Sequence, residues 1–99
     1  MIIVGGVMTA NEDICDAFFA ALQSGVERTR QEDGCIFYNM AMGNREKCEI
    51  VAFEGWRDRA ALDAHLAQPE IAELVKNFGG KFTADVKIYE VSGEQAFGV

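Results

Sequence analysis

The sequence predicts an α+β domain in which four strands and two helices follow one another in the order β-α-β-β-α-β. Apolar residues recur with period two in four short segments, and at spacings of three and four in the segments between them. Turn and helix-start residues, mainly glycine, asparagine and proline, lie between the segments with strand-like spacing and those with helix-like spacing. This order is that of a ferredoxin-like fold, in which both helices cover one face of an antiparallel sheet.

The first strand and the first helix take up the first third of the chain. Residues 1–9 are a β-branched apolar run, and Gly5-Gly6 within it indicates a bulge or a close approach of another backbone. The segment Thr9-Ala10-Asn11-Glu12 has capping-box spacing, with Asn11 as a rival N-cap, and predicts a helix start. Its apolar stripe consists of Ile14, Phe18, Ala21, Leu22 and Val26. One face of this helix should therefore pack on the sheet, and Gly34 ends the region.

A hairpin is predicted next, with strands at 35–42 and 47–54 and a turn at 43–46. The first of these strands is apolar on both faces. Its two predicted faces are Ile36, Tyr38, Met40 and Met42 on one side and Cys35, Phe37, Asn39 and Ala41 on the other. A four-residue loop would place Tyr38 opposite Val51, whereas a bulge would place it opposite Ala52.

The second helix is predicted to begin after Asp58, whose carboxylate can accept hydrogen bonds from free backbone N–H groups. It runs to residue 67, and Pro69 starts a further helical segment, so the second helix is split. The inward stripe of that segment is Ile71, Leu74, Val75 and Phe78. Gly79-Gly80 ends it, and residues 82–91 read as the last strand. Residues 1–91 are thus one domain, and 92–99 are a tail whose Phe97 is a candidate contact with a partner subunit.

Composition limits the partners that the chain can have. The net charge of −7 disfavours nucleic acid and anionic membrane surfaces. No apolar run approaches the roughly 20 residues that span a bilayer, and the N-terminus does not resemble a signal peptide, so a cytoplasmic location is expected. The cysteines Cys15, Cys35 and Cys48 lack metal-ligand spacing and are predicted to be reduced thiols. Cys35 and Cys48 should lie ~20 Å apart on paired strands and remain unbonded.

The apolar content predicts a second copy of the chain as a partner. Apolar residues make up 49% of a 99-residue chain, which is a high load for so small a core. The outer face of a sheet whose middle strands are apolar on both sides needs a cover. Packing this face against the same face of another copy, with twofold symmetry, provides one and gives a homodimer.

The only histidine and the only tryptophan lie nine residues apart, on either side of the strand-to-helix transition. His65 shares the apolar stripe of the second helix with Ala61 and Leu62, so its imidazole should face inward. Two interpretations stay open. His65 is either a hydrogen-bonded core residue with Trp56 filling volume, or it belongs to a ligand cavity.

Two blocks of sequence resemble the antibiotic biosynthesis monooxygenase domain. Phe53-Glu54-Gly55-Trp56, followed by Ala64-His65, is similar to its aromatic-Glu-x-Trp strand end and the short helix that ends in Ala-His. Residues 32–38, reading EDGCIFY, are similar to the acidic-Gly-Cys-x-x-Tyr opening of its second strand. The resemblance covers nearly the whole chain. It implies a dimeric α+β barrel with a pocket between sheet and helices in each subunit.

The same resemblance implies an oxygenation of quinols, anthrones or similar electron-rich aromatics with O₂ and without a cofactor or a metal. His65 would transfer a proton or hydrogen-bond the substrate oxygen, and Trp56 would stack on the substrate or donate its indole N–H. The candidate substrate-binding residues are Tyr38, Asn39, Phe53, Phe78 and Tyr89. The residues themselves show no phosphate-binding glycine motif, no Ser-His-Asp order and no cluster of metal ligands.

Other functions of the same superfamily stay open. An isomerase of small metabolites or a ligand-binding dimer without catalysis would use the same fold. Haem degradation is disfavoured. For that activity the resemblance leads one to expect an asparagine early in the first strand, and residues 2–8 of this chain, IIVGGVM, include none.

Overall fold

The computed structural model describes all 99 residues of the chain. Its elements in order are β1 (Ile2–Ala10), a 3₁₀ turn (Glu12–Ile14), α1 (Cys15–Ser24), α2 (Val26–Arg30), β2 (Cys35–Asn44), β3 (Glu49–Trp56), α3 (Arg59–Leu66), α4 (Pro69–Phe78) and β4 (Phe82–Glu90). The four strands form one antiparallel sheet in the order β2-β3-β1-β4. This is the predicted ferredoxin-like α+β fold, including the split of the second helix at Pro69.

The core lies between the helices and the inner face of the sheet. The largest fully buried side chains are Trp56, Phe18, Ile50 and Leu62. Phe18 of α1 packs on Phe82 and Phe78, with ring centroids 4.6 and 5.2 Å away, and so joins α1 to β4 and α4. The predicted apolar stripe of the first helix is confirmed at Phe18, Leu22 and Val26, which are all buried. In α4, by contrast, no residue is fully buried, and Val75, predicted to face inward, is 54% exposed.

The first helical region is broken where a single helix was predicted. Ala10 still belongs to β1 and pairs with Phe82, so Thr9 cannot start a capping box. Asn11 precedes the 3₁₀ turn without a side-chain capping bond, and α1 ends at Gly25, from which α2 continues. Glycine has a low helix propensity, which explains the position of the break.

The glycine pair of β1 marks a close backbone approach, and no bulge interrupts the ladders of β1. Gly6 has a φ of 153°, and a Cβ atom at this position would lie 2.0 Å from the carbonyl oxygen of Asp85 on β4. A side chain at position 6 would therefore separate β1 from β4.

The hairpin register differs from both predicted alternatives, because Tyr38 lies opposite Glu54 and not opposite Val51 or Ala52. The strand β2 continues to Asn44, and the turn is formed by residues 45–48, two positions later than predicted. The pairing of β2 with β3 is also irregular at two places, between residues 35 and 37 and between residues 42 and 44. Ile36 consequently leaves the inner face that it was predicted to share with Tyr38, and it is exposed.

A disulfide joins Cys15 at the start of α1 to Cys48 at the end of the hairpin turn. The prediction of three reduced thiols is therefore wrong for this pair, while Cys35 is a free cysteine, as expected. The late turn is the physical reason, since it removes Cys48 from the β3 ladder and brings its Cα to 5.9 Å from that of Cys15. Cys48 also has a positive φ of 50°, which an extended strand residue would not adopt.

The outer face of the sheet carries apolar side chains that the helices do not cover. Phe37 stacks on Phe53 with ring centroids 4.7 Å apart, and Phe53 is 49% exposed. Gly55 permits this arrangement, because a Cβ there would lie within 2.4 Å of the Phe37 ring. Val51 and Tyr89 extend the exposed apolar surface. None of the helices combines the length and the apolar composition that crossing a bilayer requires.

Candidate functional site

A cluster of polar and aromatic side chains lies between the inner face of the sheet and the helices. Tyr38 of β2 and Glu54 of β3 are opposite each other in the ladder, and Trp56 follows Glu54 on the same face. His65 approaches from α3, and Glu32 approaches from the loop before β2. All but Glu32 are buried.

His65 is oriented by the start of its helix and by one acid. The Asp58 carboxylate accepts the backbone N–H of Ala61 at 2.9 Å, which starts α3 and turns the Ala61, Leu62 and His65 face toward the sheet. His65 is 3% exposed, and its Nδ1 lies 3.1 Å from both carboxylate oxygens of Glu32. A carboxylate can only accept, so this geometry puts a proton on Nδ1, and in the neutral ring Nε2 is then the acceptor.

Trp56 and Glu54 form a buried pair behind the histidine. The indole N–H of Trp56 donates to Oε1 of Glu54 at 3.0 Å. The indole ring is fully buried and lies against the His65 ring, with a centroid distance of 4.8 Å. Burial raises the pKa of the Glu54 carboxyl, while the indole hydrogen bond and His65 act in the opposite direction.

Tyr38 completes the cluster as a neutral phenol. Its ring lies 5.4 Å from that of His65, nearly edge-on. Burial, followed by the charges of Glu54 and Glu32, raises the pKa of the Tyr38 hydroxyl well above its usual range. The hydroxyl therefore keeps its proton at every ordinary pH and can donate it in a hydrogen bond.

A cavity of about 60 Å³ opens beside His65 and Tyr38. Its other walls come from Glu32, from α1 and α2 through Leu22 and Thr29, and from α4 through Leu74 and its neighbours. No fully buried side-chain nitrogen or oxygen lacks a hydrogen-bond partner. Since the Tyr38 hydroxyl and His65 Nε2 form no hydrogen bond within the chain, both atoms must remain accessible, and the cavity that their residues line provides that access.

A larger groove of about 260 Å³ adjoins the cavity between α1, α2 and α4. The two spaces share the side chains of Arg28, Glu70 and Leu74. The groove therefore lies beside the cavity along α4, the helix with no fully buried residue.

The structure brings together only some of the residues predicted to form the site. His65 and Tyr38 line the cavity, Trp56 lies behind His65, and Phe78 lines the adjoining groove. The remaining three lie elsewhere. Asn39 is exposed and accepts a hydrogen bond from Arg30; Phe53 and Tyr89 lie on the outer face of the sheet.

The two acids of the site, Glu32 and Glu54, had no assigned role in the sequence, although both stand in the two family-like blocks. The signal for Glu54 is a charged residue two positions before the end of an apolar strand, which puts it on the same face as Trp56. No signal in the neighbouring sequence distinguishes Glu32 from Asp33 beside it. Only in the folded chain does α3 bring His65 to Glu32, whereas Asp33 pairs with Arg57.

The fold and the site define a ferredoxin-like domain with a histidine–glutamate pair at an internal cavity. A family model described as antibiotic biosynthesis monooxygenase matches residues 1–77. The chain belongs to the antibiotic biosynthesis monooxygenase family.

Two curated relatives agree with this membership. The uncharacterized protein sll1783 of Synechocystis is 34% identical over 96 residues, which cover 95% of this chain but 65% of that protein, so the chain spans less than two thirds of this relative. Rv0793 of Mycobacterium tuberculosis, whose name carries a proposed monooxygenase activity, is 33% identical over 76 residues, covering 77% of this chain and 74% of Rv0793.

Solved structures show the same architecture. A proposed antibiotic biosynthesis monooxygenase from Deinococcus radiodurans superimposes with a TM-score of 0.84 at 26% identity, covering 97% of this chain and 96% of the other. The structure of Rv0793 gives a TM-score of 0.77 at 27% identity, with 97% of each chain covered.

Proposed function

We propose that the chain is a monooxygenase that oxidises an electron-rich phenolic aromatic, such as an anthrone or a quinol, with O₂ and without flavin or metal. The observation that carries the proposal is the His65–Glu32 pair at a cavity that Tyr38 also lines, because Glu32 holds the Nδ1 proton and so leaves Nε2 of the neutral ring as the base. Family membership supports the reaction class.

The first step is removal of a proton from the substrate by His65 Nε2. The Glu32 carboxylate holds Nδ1–H at 3.1 Å, so the imidazolium that forms has a counter-charge in place. The Tyr38 hydroxyl donates to the oxygen of the substrate anion, and its raised pKa ensures that it donates without losing its proton.

The electrons come from the substrate. For an anthrone, the carbanion left by deprotonation of the CH₂ group gives one electron to O₂, which forms a substrate radical and superoxide. Their combination makes a C–O bond, and the peroxide takes the proton back from His65. The hydroperoxide then breaks its O–O bond and loses its remaining C–H proton, so that a carbonyl and one water form. One oxygen atom of O₂ enters the product and the other enters water.

The size of the site constrains how the substrate binds. The 60 Å³ cavity holds the reacting carbon and O₂, whereas ligand pockets commonly measure ~300–1,000 Å³. An aromatic of two or three rings would therefore extend into the adjoining groove, and Phe78, which lines that groove, would contact it. Trp56 would support the His65 ring from behind.

We also propose a homodimer that buries the outer face of the sheet. The stacked Phe37–Phe53 pair and Tyr89 give that face its apolar character, and the tail at 92–99, with Phe97, would contact the partner. In such a dimer Asn39 and Phe53 serve assembly, and each cavity remains within one subunit.

The cytoplasmic location expected from the sequence is also a proposal. A disulfide such as Cys15–Cys48 is uncommon in reducing compartments, so its presence in cells is the discriminating observation. Thiol alkylation of freshly lysed cells, followed by mass spectrometry, separates the bonded from the reduced form.

Oxygen uptake tests the proposed function. A panel of anthrones and hydroquinones is added to the metal-chelated, flavin-free protein in an oxygen electrode, with His65→Ala as the matched variant. We expect the wild type to consume O₂ in step with substrate. The rate of the variant should be lower by roughly 10²-fold or more. Turnover of a substrate without any uptake of O₂ would instead favour an isomerase, because the same His65–Glu32 pair suffices to move a proton.

A further inference from the structure

Glu54 is a buried ionisable group that the reaction described above does not use. Its side chain lies on the inner face of β3, 7% exposed, between Tyr38 on β2 and Val4 on β1. Within the chain it has one hydrogen bond, from the Trp56 indole. A carboxylate in such a place loses hydration that one neutral donor cannot replace, so it lowers the stability of the fold. Packing alone therefore gives no reason for an acid at this position.

The surroundings of Glu54 contain one group that can become a cation. The titratable groups that face it are His65 from α3, Glu32 from the loop before β2, and Tyr38 and Cys35 from β2. Burial raises the pKa of Glu54, and Glu32 adds to that, whereas His65 acts against it. Glu54 in turn raises the pKa of Tyr38 and of Cys35. Of these neighbours only His65 gains from a negative charge at position 54.

We propose that Glu54 is a positioning residue that holds the Trp56 indole against His65 and provides a second counter-charge to the imidazolium. The hydrogen bond of 3.0 Å fixes the indole, and the indole lies 4.8 Å from the imidazole ring. Glu54 does not line the cavity, so it acts through His65 and not on the substrate. No proton leaves Glu54 in the reaction. The catalytic part of this inference rests on the proposed function, while the electrostatic coupling to His65 does not.

The single histidine and the single tryptophan make the coupling measurable, because each gives one identifiable NMR signal. Glu54→Gln retains an acceptor for the indole and removes the charge. Glu32→Gln is the positive control, and Asp63→Asn is the negative control, since Asp63 lies on α3 but is exposed and paired with Arg59 at 3.0 Å.

We expect the His65 ring signals to titrate at lower pH in Glu54→Gln and in Glu32→Gln than in the wild type, because each variant removes a negative charge near the imidazolium, and we expect no change in Asp63→Asn. With an oxidisable substrate, kcat of Glu54→Gln should fall about tenfold at unchanged KM, because the imidazolium that forms during the reaction loses a counter-charge while the substrate contacts stay the same. In the wild type, the indole N–H signal of Trp56 should follow the ionisation of Glu54 as well as that of His65, which requires no variant.

A His65 midpoint in Glu54→Gln within about 0.2 pH units of the wild type would overturn the proposal, since a retained hydrogen bond with unchanged titration is what a purely structural acid predicts. The two proposals fail separately. If the His65 midpoint shifts but O₂ is consumed with no substrate tested, the monooxygenase function is refuted and the coupling between Glu54 and His65 is supported. If O₂ is consumed and the His65 midpoint does not shift, only the proposed role of Glu54 is refuted.

Discussion

Truncation of Phe53 on the outer face of the sheet should dissociate the proposed dimer. Phe53 is 49% exposed in the single chain, although it stacks on Phe37. A phenylalanine side chain buries about 200 Å² when it is fully covered, so about 100 Å² remains for a partner to cover. At about 25 cal/mol per Å² this is about 2.5 kcal/mol for each subunit, and twofold symmetry doubles it to about 5 kcal/mol.

Phe53→Ala should therefore raise the dimer Kd by roughly 10³- to 10⁴-fold. Light scattering over a dilution series measures this directly, because the chain mass of 10.9 kDa doubles in the dimer. Val75→Ala is the matched control, since Val75 is as exposed as Phe53 but lies on α4, on the helix side of the sheet. A Phe53→Ala protein that dimerises as tightly as the wild type, or a wild type that is monomeric at micromolar concentration, would refute this reasoning.

Three further predictions concern stability and turnover. Replacing Cys15 and Cys48 together by serine opens a 33-residue loop, which should cost about 4 kcal/mol and lower Tm by roughly 15–25 °C in a thermal melt, whereas Cys35→Ser should change little. Glu54→Gln should have a higher Tm than the wild type at neutral pH, because the raised pKa of Glu54 means that its ionised form is disfavoured in the fold. The difference in Tm should vanish as the pH falls through that pKa toward the ordinary value of 4.5, where Glu54 is protonated in the folded chain. His65→Ala should lower kcat roughly 10²-fold while its circular dichroism spectrum stays that of the wild type, and an unchanged kcat would remove His65 from the reaction.

Local sequence signals were sufficient for the order of elements and for the orientation of the histidine. Asp58 as an N-cap, Pro69 as a new helix start and the Ala61-Leu62-His65 stripe each depend on residues within one or two turns. Such signals survive in the folded chain because packing reinforces them. The inward-facing His65 was therefore predictable before any contact was known.

The register of the hairpin was not predictable in the same way. The turn was expected at Gly43–Glu46, where the turn-forming residues stand, yet the chain turns at residues 45–48. Cys48 ends this turn with a positive φ and a bond to Cys15, which is 33 residues away. The late turn pairs Tyr38 with Glu54 and brings Cys48 to Cys15, and this contact between distant segments has no local signal in the sequence.

The composition of the site was predictable only in part for a related reason. Alternation along a strand predicts which residues share a face, but the face that meets the helices depends on the register. Asn39 was therefore assigned to the pocket although it lies at the surface, and Glu54 was given no role although it is buried beside Trp56. Glu32 was missed because only the approach of α3 distinguishes it from Asp33.

The most direct test of the central claim uses ¹⁸O₂ with an anthrone as substrate. The chelated, flavin-free wild-type protein should give a quinone that carries one ¹⁸O atom and water that carries the other, and His65→Ala should form this labelled product roughly 10²-fold more slowly. A product formed at the wild-type rate without label, or labelled equally fast by His65→Ala, would contradict an oxygenation that depends on the His65–Glu32 pair.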